Sequence, residues 1–310
     1  MRITLGMQTN ETLLNLNDQQ DQINTLSQEI SSGKQLLSPS DNPDSWSQTM
    51  STNQTIREYN SFLSNVNFAT GWGQTTESAL NELSGLLSQA KQVAISAGSS
   101  TGTAESGALA TQVNGILQQA LSIANTQYDN QYIFAGTATD TAPYSINSST
   151  GAVTYNGNTG PIEVKTNMSS AADPGMTTVN LNGEAVFGGS TSGGGSNVLN
   201  DIWSLEQAIT SGNSTGISNS ITTLGNDFNQ INNQLTTVGS QLSTLTSQQS
   251  ALNTMVTNEK GVLSNLQDTD IASATVKLSQ AQTAFQAALQ VTSLLDNLNL
   301  SSILSGGAAG

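Results

Sequence analysis

Residues 217–266 read ISNSITTLGNDFNQINNQLTTVGSQLSTLTSQQSALNTMVTNEKGVLSNL, and this stretch decides the fold. Apolar residues recur in it every three or four positions: Ile217, Ile221, Leu224, Phe228, Ile231, Leu235, Val238, Leu242, Leu245, Leu252, Val256, Leu263 and Leu266. Only Gln249 and Glu259 break the row, and no proline interrupts it. A 3-4 alternation sustained this long specifies a single helix with a coiled-coil seam, about 75 Å long at 1.5 Å per residue. A rod of that length suits a mechanical or architectural role better than catalysis.

The flanking segments carry the same texture. Asp268 opens a final amphipathic helix in which Ile271, Ala274, Leu278, Ala281, Phe285, Ala288, Thr292 and Leu295 keep the spacing. Small residues alternate there, which lets a partner helix approach closely. At the other end, Leu16, Ile23, Ile30 and Leu37 repeat every seven residues, with Leu13 and Leu26 beside them. The segment Leu37-Ser38-Pro39-Ser40-Asp41-Asn42-Pro43-Asp44 then breaks the helix. Asn42 is placed as an N-cap, Pro43 as the first helical residue and Asp44 against the helix dipole. A second helix runs to about Gly98, and a third carries Leu109, Val113, Ile116, Leu117 and Ala120.

From Thr137 to about Gly195 the periodicity changes to β-branched and turn-forming residues, with Asn156-Gly157 as a hairpin-turn signal and Gly193-Gly194-Gly195 as a flexible exit. The expected fold class is mainly α with a small β-rich insert. It is an elongated helical bundle or coiled coil built from both termini. The expected domains are terminal arms (1–40 plus 270–310), a helical bundle (41–136 plus 200–269) and a β-rich outer domain (137–199).

Composition narrows the function. Charged residues make up 9% of the chain, so its polarity comes from Ser, Thr, Asn and Gln. Such side chains can be packed together without desolvating ions. The net charge is −15 with only seven scattered bases, which disfavours nucleic acid and anionic membranes as partners. The chain contains no Cys and no His, which removes the usual nucleophile triads, zinc sites and haem ligation. No cofactor or metal is called for. The insert offers Asp140, Glu163, Asp173, Glu184 and Lys165 but no nucleophile paired with a base. The acid pairs Asp41/Asp44 and Asp268/Asp270 are read as helix caps rather than a catalytic or metal site. Trp46, Trp72 and Trp203 are read as core before interface anchors. The first residues lack the apolar block of a secretory signal, and no apolar run is long enough to span a bilayer.

Two helical ends of matched character call for each other. A two-helix arm nevertheless buries one face of each helix and leaves the other to solvent. Ordering such an arm costs conformational entropy that one buried face does not offset. The arms are therefore expected to be frayed in the free monomer and to order when neighbouring copies cover their outer faces.

Particular segments bear a family resemblance. Met1-Arg2-Ile3-Thr4, Ile30-Ser31-Ser32-Gly33-Lys34 and Pro39-Ser40-Asp41-Asn42-Pro43 resemble the N-terminal region of the hook–filament junction family (FlgL) within the flagellin-like superfamily. Asp129-Asn130-Gln131-Tyr132-Ile133-Phe134-Ala135-Gly136 looks like that family's entry to its outer domain. Leu263-Ser264-Asn265-Leu266-Gln267-Asp268-Thr269-Asp270-Ile271 and Gln280-Ala281-Gln282-Thr283-Ala284-Phe285-Gln286 resemble its C-terminal region. Flagellin, the filament subunit, is the alternative. It usually carries a Gln-Phe-Asn-Gly-type segment where this chain has Tyr132-Ile133-Phe134-Ala135-Gly136.

The resemblance implies a structural, non-enzymatic protein of the bacterial flagellum that is exported through the flagellar type III apparatus without a cleaved signal. Its expected partners are other copies of itself, a neighbouring hook-associated protein, flagellin and an export chaperone. The residues expected at intersubunit packing are Leu16, Ile23, Ile30, Leu278, Phe285 and Leu295.

Overall fold

The computed structural model describes residues 5–99, 102–147, 150–151, 153–168, 174–188 and 197–306. The helices are α1 (Leu5–Ser32), α2 (Pro43–Ser99), α3 (Thr103–Ala124), α4 (Gly183–Phe187), α5 (Val198–Thr210), α6 (Ser214–Gln267) and α7 (Ile271–Gly306). Among the described residues, six short strands form three antiparallel pairs: β1 (Gln127–Tyr128) with β2 (Gln131–Tyr132), β3 (Tyr144–Ile146) with β4 (Val153–Tyr155), and β5 (Glu163–Lys165) with β6 (Met176–Thr178). The chain is thus mainly helical with small β elements, as its periodicity required. It divides into two compact units, residues 1–57 with 256–310, and residues 58–255.

The core of the second unit follows the seven-residue repeat of α6. Ile217, Leu224, Ile231, Val238, Leu245 and Leu252 are all buried. The intervening Ile221, Phe228, Leu235 and Leu242 are partly buried against the same core. One column thus faces the centre and the other its margin, as a 3.6-residue helix demands of a 3-4 repeat. Gln249, which interrupts the row, lies at that margin, where its side-chain amide donates to Asn67 Oδ1 at 2.6 Å. Trp72, Leu80, Leu83 and Leu87 of α2, Ile116 and Leu117 of α3, and Leu199, Ile202, Leu205 and Ile209 of α5 complete the core. Of the three tryptophans, Trp72 is fully buried, in contact with Phe68 and Tyr128.

The neutral outer faces satisfy themselves. Along α6, the hydroxyls of Thr236, Thr244, Thr246, Ser247, Ser250 and Thr254 each donate to the carbonyl four residues earlier at 2.8–3.1 Å. A helix can therefore carry many hydroxyls without leaving donors unpaired.

Asparagine amides do similar work in the β-containing segment. Asn125 brackets Tyr144, donating to its carbonyl at 2.9 Å and accepting from its amide at 3.0 Å. Asn158 Oδ1 accepts from the Thr137 and Gly160 amides at 2.8 and 2.9 Å. Asn180 Oδ1 accepts from Ile162 N at 2.7 Å. Asn182 and Asn197 cap α4 and α5. Beneath them, Phe134, Tyr144, Tyr155 and Phe187 form a contiguous aromatic cluster with ring centroids 4.9–5.3 Å apart. The β5–β6 hairpin is fixed to α2 by Asn65 Nδ2 donating to Lys165 O at 2.7 Å, and by the Lys165 ammonium 5.6 Å from the Phe62 ring centroid.

Several expectations need correction. Asn156-Gly157 does not turn a hairpin. The β3–β4 connection is made earlier, where Asn147 O accepts from Gly151 N at 2.7 Å and Gly151 takes φ +69°. The two-residue hairpin turn is instead Asp129-Asn130, with φ 49° and 62°, the positive pair that a type I′ turn needs. The short helix α4 has no separate sequence signal. The glycine exit at 193–195 and the tail at 307–310 lie outside the described residues.

One buried acid stands apart. Asp227 on α6 is pushed up to about 7 by burial, by the charge of Asp201 on α5 and by a hydrogen bond with it. Asp227 Oδ2 has no hydrogen-bond partner among the described residues. Between the ordinary value of 3.8 and about 7, the folded chain holds a proton that the unfolded chain has released. Stability must therefore fall as pH rises through this window. Asp227→Asn is expected to remove a loss of roughly 1–2 kcal/mol between acidic and neutral pH, read from urea unfolding at each pH. An unchanged pH profile would contradict this. In the seam, Ile231→Ala is expected to cost about 3 kcal/mol in the same assay.

Candidate assembly interface

The unit built from residues 1–57 and 256–310 begins at a knot between the end of α1 and the start of α7. Gly33, at φ +71°, ends α1, and its carbonyl accepts from Thr269 N at 3.0 Å. Gln35 N donates to Gln267 O at 2.8 Å, and the backbones of Lys34 and Asp268 pair as an isolated antiparallel bridge. Asp270 caps α7 by accepting from Ala272 N at 3.0 Å and Ser273 N at 3.3 Å.

On the other side of the break, one carboxylate organises the turn. Asp41 Oδ2 accepts from the amides of Leu37 and Ser38 at 2.9 and 2.7 Å, and Asp41 Oδ1 accepts from the Ser38 hydroxyl at 2.8 Å. Asn42 Oδ1 then accepts from Ser45 N at 3.1 Å, capping α2 with Pro43 in its first position. Asp270 thus serves as a helix cap, as expected, whereas Asp41 caps no helix and instead ties the turn that precedes α2. Among the described residues no group of three or more His, Cys, Asp or Glu converges on a metal-sized site. No described helix is long and apolar enough to cross a membrane.

From this knot α1 and α7 pack against each other in opposite directions. Leu26 shares a groove with Ala274 near the knot, while Asn15 shares one with Ala288 and Val291 further along. The contact side of each helix is narrow. Leu16, Leu26, Ala274 and Ala281 are buried. Of the residues expected at intersubunit packing, Leu16 lies in this seam, and Ile23, Ile30, Leu278 and Phe285 are half-buried. The side chain of Leu295 lies outside the described residues. Ile271, which opens the α7 stripe by spacing, is exposed, because the stripe turns towards α1 only at Ala274.

Apart from Leu13, a second set of residues lies outside the periodic stripes. Leu13, Leu14, Val276, Leu289, Val291 and Leu294 are large, apolar and exposed, with Leu14 and Leu294 each 64% accessible. The four on α7 fall between members of the 271–295 stripe, and that offset is their sequence signal. A two-helix pair has no third element to cover them.

Residues 3–139 match the family model for the bacterial flagellin N-terminal helical region, and residues 221–304 match that for the bacterial flagellin C-terminal helical region. The two matches lie on either side of residues 140–220, and the chain belongs to the flagellin-like family. Among its relatives, flagellar hook-associated protein 3 of Escherichia coli (strain K12) is 30% identical over 147 residues. That match is 47% of this chain and 46% of the relative, so the chain spans a little under half the length of the curated protein it matches. Among solved structures, FlgL of Bacillus cereus superposes with a TM-score of 0.55 at 19% identity, covering 70% of this chain and 98% of that one. A structure described as a flagellar hook-associated protein from Vibrio parahaemolyticus superposes with a TM-score of 0.65 at 19% identity, covering 74% of this chain and 100% of that one.

The Asp41 turn carries its own prediction. The Ser38 amide and hydroxyl and the Leu37 amide hold the Asp41 carboxyl below its ordinary value of 3.8. The turn is therefore fully formed above that value and loosens as pH falls through the lowered one. Hydrogen exchange at the Leu37 and Ser38 amides is expected to lose its protection on acidification in that range. Asp41→Ala should lose it at every pH, and wild-type protection that persists in acid would rule the account out.

Proposed function

We propose that the chain is a structural subunit of the bacterial flagellum that joins hook to filament. The observation that carries this reading is the set of apolar side chains that the α1–α7 pair leaves exposed. The sequence match to hook-associated protein 3 supports the junction over the filament as its place. In this reading the terminal arms (1–40 plus 270–310) form an inner layer by packing against other copies. The helical bundle (41–136 plus 200–269) forms the next layer, and residues 137–199 face outward. Leu16, Ile23, Ile30, Leu278, Phe285 and Leu295 hold each arm together and extend across to neighbouring copies. Leu13, Leu14, Val276 and Leu289 supply the remaining contact. The protein turns over no substrate. It is exported through the flagellar type III apparatus, held before export by a chaperone on its C-terminal helix, and it meets a second hook-associated protein on one side and flagellin on the other.

Deleting the gene is expected to leave hooks that shed flagellin into the medium. Filaments that remain attached would reject the junction role, and loss of the filament protein itself would point to flagellin. Leu14→Asp changes an exposed position, so the monomer's stability should move by less than about 0.5 kcal/mol. The same substitution should abolish complementation of the deletion strain, and full motility in that strain would refute the proposed contact. In limited proteolysis the free monomer is expected to be trimmed first before residue ~40 and after ~270. Ends as resistant as the bundle would overturn the coupling of arm order to assembly.

A further inference from the structure

The chain contains three Asn-Gly pairs, at 114–115, 156–157 and 182–183. An asparagine followed by glycine can convert itself. The glycine nitrogen, on losing its proton, attacks the asparagine Cγ. The Cγ–Nδ2 bond breaks and ammonia leaves, giving a five-membered succinimide. Water then opens the ring at either carbonyl, leaving aspartate or the backbone-lengthened isoaspartate. The reaction consumes one water and releases one ammonia, with no redox change. It requires a side-chain amide free to rotate and a glycine N–H not already committed to another acceptor.

The structure separates the three pairs by these requirements. Asn114 and Gly115 lie inside α3, where the amide at 115 belongs to the helical ladder, and Asn114 Nδ2 donates to the Glu206 carboxylate at 3.2 Å. Asn182 Oδ1 accepts from Ala185 N at 2.8 Å as the cap of α4, and Gly183 N donates to Phe134 O at 2.8 Å. Both amides and both nucleophiles are therefore engaged. Asn156 is exposed just past β4. Only its main-chain amide is held, donating to Pro143 O at 2.8 Å. Among the described residues its side chain makes no hydrogen bond, and the Gly157 N–H donates to none. The glycine is also fixed by packing, because a Cβ there would stand 2.5 Å from the Tyr155 hydroxyl.

We propose that Asn156-Gly157 is a built-in site of spontaneous deamidation, the one Asn-Gly pair of the three that the fold leaves reactive. The product introduces a negative charge, and in its isoaspartyl form an extra backbone methylene. The change falls between Tyr155, whose hydroxyl donates to Phe134 O at 3.0 Å, and Asn158, which ties residues 137 and 160. The insert thus carries an irreversible ageing mark at a defined place.

The test ages the full-length chain at mildly alkaline pH, once native and once in concentrated urea, and follows amide-to-acid conversion at each site by peptide mass spectrometry. In urea the three pairs lose their folded-state protection. The native-to-urea rate ratio at Asn156 is expected to exceed the ratios at Asn114 and Asn182 by at least about tenfold, the protection expected of amides that react only after local opening. A smaller margin over either site overturns the proposal. Asn156→Gln should remove the native-state product at that site, and an unchanged rate of acid formation in its peptide would assign the conversion elsewhere.

Discussion

A two-helix arm can bury only one side of each helix, and this constraint governs the unit formed by the two ends of the chain. Leu16 and Leu26 of α1 and Ala274 and Ala281 of α7 occupy the shared side. Small residues on α7 let the backbones approach, which tightens the pair but also limits the apolar area it removes from water. Leu14, Val276 and Leu294 remain exposed because the helical period places them outside the shared side. A third surface must be supplied from outside the pair if they are to be buried. The hydrogen-bonded knot joining Gly33 to Thr269 and Gln35 to Gln267 fixes where the two helices begin to pair, and so fixes which residues face inward.

The other unit rests on a different balance. Its interior is a continuous apolar seam, but its polar chemistry is almost free of ions. Amides and hydroxyls are satisfied locally: threonine and serine along α6 return to their own helix, and Asn125, Asn158, Asn180, Asn182 and Asn197 pin loops by their side chains. A neutral amide can donate and accept at once, so a single asparagine fixes two strands of backbone without a counter-ion. The low charge content of the sequence and the irregular loops of the insert thus have a common physical basis. Asp227 is the exception, a buried acid facing another acid, and its raised pKa is the consequence.

The helices and their buried columns were legible in advance because a 3-4 repeat without proline over fifty positions admits one regular structure. The break from Leu37 to Asp44 was equally legible: Pro39 and Pro43 restrict the backbone, and Asn42 and Asp41 accept from the amides that the break exposes. The insert was less so. Asn156-Gly157 has the composition of a hairpin turn, yet the strand before it, β4, pairs back to β3 through a connection that Asn147 and Gly151 close. Asp129-Asn130, with a less typical pair of residues, makes the tight turn because the strands that flank it demand positive φ at both positions.

By itself the sequence determined the long helices, the break between α1 and α2, and that the chemistry of Cys and His is unavailable. These follow from local period, from proline and capping groups, and from composition, none of which needs a distant partner. Only the tertiary structure decided which side of each terminal helix is covered and which is left bare. Leu13 and Leu16 are equally apolar, and their difference in burial arises because α7 approaches α1 from one direction. Only the tertiary structure, too, distinguished Asn156 from Asn114 and Asn182, since the acceptors and donors that hold the latter two come from Glu206, Phe134 and the first turn of α4. Contacts between residues far apart in the chain are set by packing, and local sequence carries no record of them.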